Sequence, residues 1–256
     1  MVRTVIREAF GLYRRLWRQL IPTTALIFLP YALVLLVLTL LVPETTSTQQ
    51  SLAILDAAGS LLLFAPLASI VSIRFGIAAD RGDAPSLRPT LGEAFTLLPS
   101  YVGTQLLTLL VIAFLPGVLL LAGYTGNSPL LVAVGAGTLL ASAILNGIRL
   151  SIATILVATG DARFARALRG SAQLTRGRFW GVLGVVSLLG LISLAVGLVF
   201  SAAVLGAPTG AIRAVLDAAA GVVVNALTLP LITLGMYRAY VNLRAANAKA
   251  REGAQP

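Results

Sequence analysis

Long apolar runs alternate with short polar connectors along the whole chain. Residues 23–42, 52–79, 101–123, 129–158, 179–205 and 218–241 form six such runs. Each is long enough to cross a hydrocarbon core of about 30 Å at about 1.5 Å per helical residue. Ahead of the first run the pattern changes. Val2, Ile6, Ala9, Tyr13, Leu16, Trp17 and Leu20 fall on one helical face, with Arg3, Arg7, Arg14 and Arg18 on another. A basic amphipathic helix of this kind predicts an anchor lying in the plane of the membrane surface. Pro22 then suits the first turn of a separate spanning helix, where its missing N–H costs little. A second short helix is predicted over Leu91–Leu98, before the third run. Pro30, Pro66, Pro116 and Pro230 interrupt four runs and predict bends, as static kinks or as the walls of a transporter cavity.

The connectors set the topology. Pro43–Ser51 holds Glu44 and no base. Tyr124–Ser128 is uncharged and short, predicting a tight hairpin between spans three and four. Gly206–Gly210 is a turn, followed by Arg213 and Asp217 at the spacing of a helical ion pair. With both termini cytoplasmic, the inner side collects every one of the 19 basic residues except Arg213, as the positive-inside rule requires. The most basic connector, Gly160–Gly181, sets five arginines against Asp161. From it, Arg163, Arg166, Arg176, Arg178 and the adjoining Trp180 are expected at the cytoplasmic membrane surface beside the first helix. The tail, 243–256, is polar, and disorder is expected at its end.

Composition fixes the class and removes several chemistries. Hydrophobic residues make up 58% of the chain and charged residues 11%, against roughly 25% charged in soluble domains. So few charges cannot cover a water-exposed surface, which leaves a polytopic membrane protein. The net charge of +10 then points to anionic phospholipids as partners rather than nucleic acid, since the bases sit between spans. The chain has no Cys and no His, so the commonest thiolate, imidazole and transition-metal chemistry is absent. Asp80 and Asp83 in DRGD lack the second acidic cluster of a metal-dependent lipid transferase and read as a turn with local ion pairs. No phosphate-cradling glycine loop occurs. Gly181, Gly184, Gly190 and Gly197 read as packing residues for close helix approach. No metal or cofactor is expected, and the first apolar run, long enough to span, argues against a cleaved signal peptide.

Several features recur at nearly constant shifts. Glu8-Ala9-Phe10 returns as Glu93-Ala94-Phe95, Leu29-Pro30 as Leu115-Pro116, and Pro66-Leu67 with Arg74 as Pro230-Leu231 with Arg238. The expected fold is therefore all-α: one six-span membrane domain over 1–242, in three parallel helix-pair repeats (about 2–79, 90–158 and 161–241). Each repeat would begin with a cytoplasmic interfacial helix.

The run Ala167-Leu168-Arg169-Gly170-Ser171 through Leu174-Thr175-Arg176-Gly177-Arg178-Phe179-Trp180 resembles a signature of the six-helix membrane domain attached to some bacterial glycerophosphoryl diester phosphodiesterases. Related uncharacterised integral membrane proteins share it. The resemblance extends to the span count and the paired-helix layout. It implies an integral membrane module of the bacterial plasma membrane. It does not bring catalysis, because the phosphodiesterase is a soluble barrel that uses His, Glu and a metal, and this chain has no His.

Arg74, Arg149 and Arg238 lie toward the inner ends of the even-numbered spans. An intramembrane arginine suggests a site with a partner, and three could hold an anionic headgroup through guanidinium forks. The alternative is snorkelling to the cytoplasmic headgroups. Asn146 and Asn225 would line the same interior, or else make ordinary interhelical hydrogen bonds. The expected role is a non-catalytic, lipid- or partner-binding scaffold or accessory module of the bacterial envelope. The alternatives are a transporter or flippase for an anionic amphipathic substrate and, less well supported, a lipid-modifying enzyme. A scaffold predicts a filled interior, and a transporter predicts a cavity lined by Asn146 and the three arginines.

Overall fold

The structure is a computed structural model and describes residues 1–41, 46–208 and 210–252. The expected loop around Glu44 and the middle of the Gly206–Gly210 turn lie partly outside these residues. Among the described residues there is no strand. The helices are α1 (Val2–Leu41), α2 (Thr46–Gly59), α3 (Ala65–Arg81), α4 (Leu87–Thr125), α5 (Pro129–Leu150), α6 (Ala153–Thr159), α7 (Phe164–Thr175), α8 (Phe179–Leu205) and α9 (Ala211–Glu252). A π-helical turn, Ser60–Phe64, joins α2 to α3. Six helical stretches are long and apolar enough to cross a membrane. This is a multi-pass membrane protein.

Two expectations about the helices change. The anchor predicted over residues 2–20 is not a separate element: α1 continues through Pro22 and Pro30 for 40 residues. It spans about 60 Å at 1.5 Å per residue, twice the hydrocarbon thickness. The short helix predicted at Leu91–Leu98 is likewise absorbed into α4, which begins at Leu87 and carries Pro99 and Pro116 inside it. Only α7 stands apart, because Gly177 at φ +76° turns the chain before α8 begins. Residues 243–252 of the tail are helical, as their alanine-rich composition favours.

The long helices cross because their packing surfaces are continuous. On α1, Val5, Ala9, Leu12, Leu16 and Leu20 recur every three or four residues and are buried. That stripe is centred on Leu12 and Leu16, so Trp17 is left exposed at its edge rather than on the buried face. α1 and α9 lie side by side in opposite directions. Asn242 meets Glu8 near one end, and Thr39 and Arg213 line one cavity near the other. The end holding Met1 and the last turns of α9 is here the terminal half, and the opposite end the distal half.

The terminal half is the filled part of the molecule. Leu20, Ile70, Phe75, Leu189, Leu234 and Leu243 are fully buried in one cluster. α3 and α6 both stop at this end with the same C-terminal motif. Gly82 (φ +82°) and Gly160 (φ +84°) take the left-handed conformation that an L side chain rarely tolerates. Asp83 then bonds back to Ala78 and Asp161 to Leu156, each at 2.9 Å, the six-to-one bond of a Schellman cap. α5 breaks at Ser151 and α6 starts anew. Ser171 of α7 bridges the break, accepting from the Ile152 N–H (3.2 Å) and donating to the Arg149 carbonyl (2.7 Å).

The distal half turns its apolar side chains outward. Leu106 to Leu121 on α4, Leu130 to Leu145 on α5 and Leu188 to Leu205 on α8 are stretches rich in exposed large hydrophobics. Each is about 22–26 Å long, which matches most of a bilayer core of about 30 Å.

Candidate functional site

The distal half holds a cleft of about 740 Å³ between α1, α2 with its π turn, and α9. Its apolar wall includes Phe28, Leu35, Leu36 and Val222, and its polar groups include Tyr31, Asp56, Arg213, Asp217 and Asn225.

The back of the cleft is built around Tyr31. Its hydroxyl donates to Asp56, within reach of both Oδ1 (2.8 Å) and the main-chain carbonyl. Its ring stacks on Phe64 at 4.5 Å. This approach needs Gly59, where a Cβ would sit 2.7 Å from Tyr31 Cε2. The π turn follows directly, placing Ser60 on the cleft and Phe64 on the Tyr31 ring. Such turns insert one extra residue into a helix and recur at functional sites. Gln105 of α4 donates to the Leu61 carbonyl at 3.4 Å, supporting the widened turn.

α9 supplies the opposite wall. Arg213 and Asp217 lie one turn apart, and Asn225 about 12 Å deeper than Asp217 at 1.5 Å per residue. The expected Arg213–Asp217 ion pair does not form: among the described residues the ion pairs are Arg74–Glu93, Arg238–Asp80 and Arg244–Asp161. The cleft therefore carries two carboxylates and one guanidinium, with only Tyr31 hydrogen-bonded to any of them. Ionisable groups inside membrane spans are costly and mark functional positions.

None of the three arginines singled out from the sequence lines this cleft. Arg238 bonds Asp80 through Nη2, and Tyr237 donates to the same carboxylate at 2.9 Å. Arg74 Nε lies 3.5 Å from Glu93 Oε2 across α3 and α4. The Arg149 side chain is exposed, while its carbonyl accepts from Ser171 and Thr175. Acids on neighbouring elements thus claim two of the three guanidiniums. Asn146 donates to Ser142 (3.1 Å), which donates to the Ile112 carbonyl of α4 (2.8 Å), a link within the α4–α5 hairpin. Asn225 does reach the cleft, with its amide held by the Gly221 carbonyl at 2.9 Å. The five residues do not share one interior.

The surface residues lie on the terminal side of the apolar belt. Arg3, Arg7, Arg14 and Arg18 are exposed, and the Arg18 guanidinium sits 5.6 Å from the Trp17 ring centre. Arg163, Arg166 and Arg176 are exposed and Arg178 is half-buried. Trp180 is 79% exposed and meets Phe179 edge-on at 5.5 Å. In the signature-like run, the buried positions are Ala167, Ser171 and Thr175, the face that clasps the Arg149 carbonyl.

A second polar cluster closes the terminal end. Asp161 accepts from Thr159 (2.6 Å), Tyr240 (2.7 Å) and Arg244 (3.2 Å). Burial pushes its carboxyl up, but the bonds from Thr159 and Tyr240 and the Arg244 charge outweigh that and hold it below its ordinary value. A shallower pocket of about 490 Å³ lies beside it.

Tyr31, Asp56, Arg213 and Asp217 were not joined by the sequence reading, which offered only Arg213 and Asp217, as an ion pair. The usable signal was Asp56 just inside the second apolar run and Arg213 and Asp217 just ahead of the sixth. What the sequence did not supply is that the first and last spans are neighbours. The chain matches no protein-family model, no curated protein and no solved structure.

Proposed function

We propose that this protein is a non-catalytic membrane module that holds an amphipathic lipid in the distal cleft, as a scaffold or accessory to bacterial envelope lipid metabolism. One observation carries the reading: charged groups without ion-pair partners line a cleft with an apolar wall, among lipid-facing leucines. The polar groups suit a headgroup and the apolar wall an acyl chain. The likeness to the phosphodiesterase membrane domain points the same way, and so does the lack of His and Cys. The proposal keeps both termini cytoplasmic in a bacterial plasma membrane, and the exposed arginines on the terminal side support that orientation. The proposal keeps the three-repeat organisation, supported by the hydrogen bond from Thr233 to Ser69, whose separation equals the offset that relates Pro66 to Pro230.

The test is native mass spectrometry of protein extracted with its lipids. Wild type should carry bound lipid, and Gly221→Phe, which fills the cleft, should lose it while keeping its fold. Equal retention in both would place the lipid elsewhere and sink the assignment. A second reading has its own support, since polar groups descend from Arg213 to Asn225, about 18 Å along α9. That is the form of an outward vestibule in a transporter. Asn225→Cys should be labelled by a thiol reagent only from the distal side in a binding module. In a transporter it would react from both sides.

A further inference from the structure

We infer that the cleft selects a zwitterionic headgroup, a phosphate with a tethered ammonium, and not the anionic headgroup that the net charge of the chain suggests. The inference rests on the reading of the cleft as a lipid site and adds the chemistry of its ligand.

Charge balance comes first. The surplus of bases lies on the terminal side, whereas among the described residues the cleft holds Asp56 and Asp217 against Arg213. An anionic headgroup would satisfy Arg213 and press its charge against two carboxylates. A purely cationic one would satisfy the acids and crowd Arg213. Only a ligand with both poles pairs all three groups.

Geometry comes second. Arg213 and Asp217 are within reach of each other along α9, yet no ion pair joins them. Arginine preceding the acid is also the weaker order for such a pair in a helix. Each side chain keeps its full capacity for a ligand. Asp56 is oriented by the Tyr31 hydroxyl on one oxygen, which leaves the other to accept from an ammonium. Tyr31 itself is held by Phe64 and by the close approach at Gly59. The acid is therefore preset rather than mobile.

The arrangement also orders the poles. Arg213 stands two residues from the start of α9, at the distal boundary, and Asp217 lies about 6 Å deeper. The phosphate sits outermost on the guanidinium and the ammonium turns inward to the carboxylates. An ammonium that donates hydrogen bonds fits this better than a trimethylated one, which has no N–H to give.

The experiment offers purified protein an equimolar mixture of phosphatidylethanolamine, phosphatidylglycerol and phosphatidylcholine and reads retained lipid by native mass spectrometry. Wild type should retain the ethanolamine lipid roughly tenfold over the other two, the size of one charge-assisted pairing. The isosteric Asp56→Asn/Asp217→Asn variant should shift preference to phosphatidylglycerol, and Arg213→Gln should weaken all phosphate-bearing lipids. Equal retention of all three by wild type, or an unchanged preference in the double variant, would overturn the inference. The wild-type competition decides it even where a variant fails to fold. Loss of headgroup selection while Gly221→Phe still expels lipid would leave the lipid site standing. Soluble O-phosphoethanolamine separates the two sources of the chemistry. If it binds as well as the diacyl lipid, the zwitterion assignment holds and the lipid reading falls.

Discussion

The terminal and distal halves are made from the same spans, but they treat charge and apolar surface in opposite ways. In the terminal half Arg74, Arg238 and Arg244 each meet an acid, and Leu20, Phe75 and Leu234 are sealed inside. In the distal half Arg213, Asp56 and Asp217 face a cleft, and Leu26, Phe114 and Leu198 are all more than half exposed. Lipid is as apolar as leucine, so the outward leucines of the belt do not draw helices together. They keep the protein in the bilayer and leave its cohesion to close packing elsewhere. The filled half can then hold the helices while the other half stays hollow enough to admit a ligand.

The largest expected effect tests that division directly. Leu234→Ala removes a fully buried side chain of α9 that lies against Gly76 of α3. It should cost about 2–5 kcal/mol, read from the unfolding midpoint in detergent or nanodiscs. Leu198→Ala in the belt leaves lipid to fill the gap and should change stability by about 0.5 kcal/mol or less. Equal losses would erase the distinction between the halves. Overpacking comes next. A Cβ at Gly235 would meet Leu189 Cδ1 at 2.5 Å, so Gly235→Ala should force α8 from α9 at a cost of about 1–3 kcal/mol.

Charge removal sharpens the comparison further. Asp80→Ala leaves the Arg238 guanidinium and the Tyr237 hydroxyl without their shared acceptor, at a cost of about 1–3 kcal/mol. Asp217→Asn breaks no bond in the structure and should leave the midpoint unchanged, or raise it, while altering lipid retention. A distal acid that proved as stabilising as Asp80 would mean the cleft charges are structural.

How far the sequence carried these conclusions also divides by region. The apolar runs at 101–123 and 179–205 were readable because length and hydropathy are local properties. Helix ends were less so. Pro22 suggested a boundary, yet α1 runs through it, since buried residues on both sides (Leu20, Thr23, Thr24) continue one packing surface. At Ser151 the reverse happened: an apolar run that read as one span breaks, and the hydroxyl that bridges the break comes from Ser171 on another helix. The arginines of spans two and six were visible as costly residues, but their partners Glu93 and Asp80 depend on which helices are neighbours. The cleft was hidden for the same reason. Tyr31, Asp56 and Arg213 come from three separate segments, and no local pattern brings them together.

The smallest effect concerns pH at the terminal end. The Asp161 carboxyl is held below its ordinary value despite the opposing effect of burial, by Thr159, Tyr240 and Arg244. A folded-state value below the unfolded one means that the unfolded chain binds the proton more readily, so acid favours unfolding. The contribution of Asp161 is therefore fully present above the ordinary carboxylate range and fades as pH falls through the lower, folded-state value. Wild type should lose part of its unfolding midpoint between about pH 6 and about pH 3. Asp161→Asn keeps the shape without the titration, so it should start lower and lose less over the same interval. Contributions common to the two proteins cancel in the difference. A difference that grew toward low pH would reverse the sign and detach Asp161 from the clasp on α9. A flat difference would mean that the terminal end owes its cohesion to packed leucines alone, with its ion pairs as bystanders.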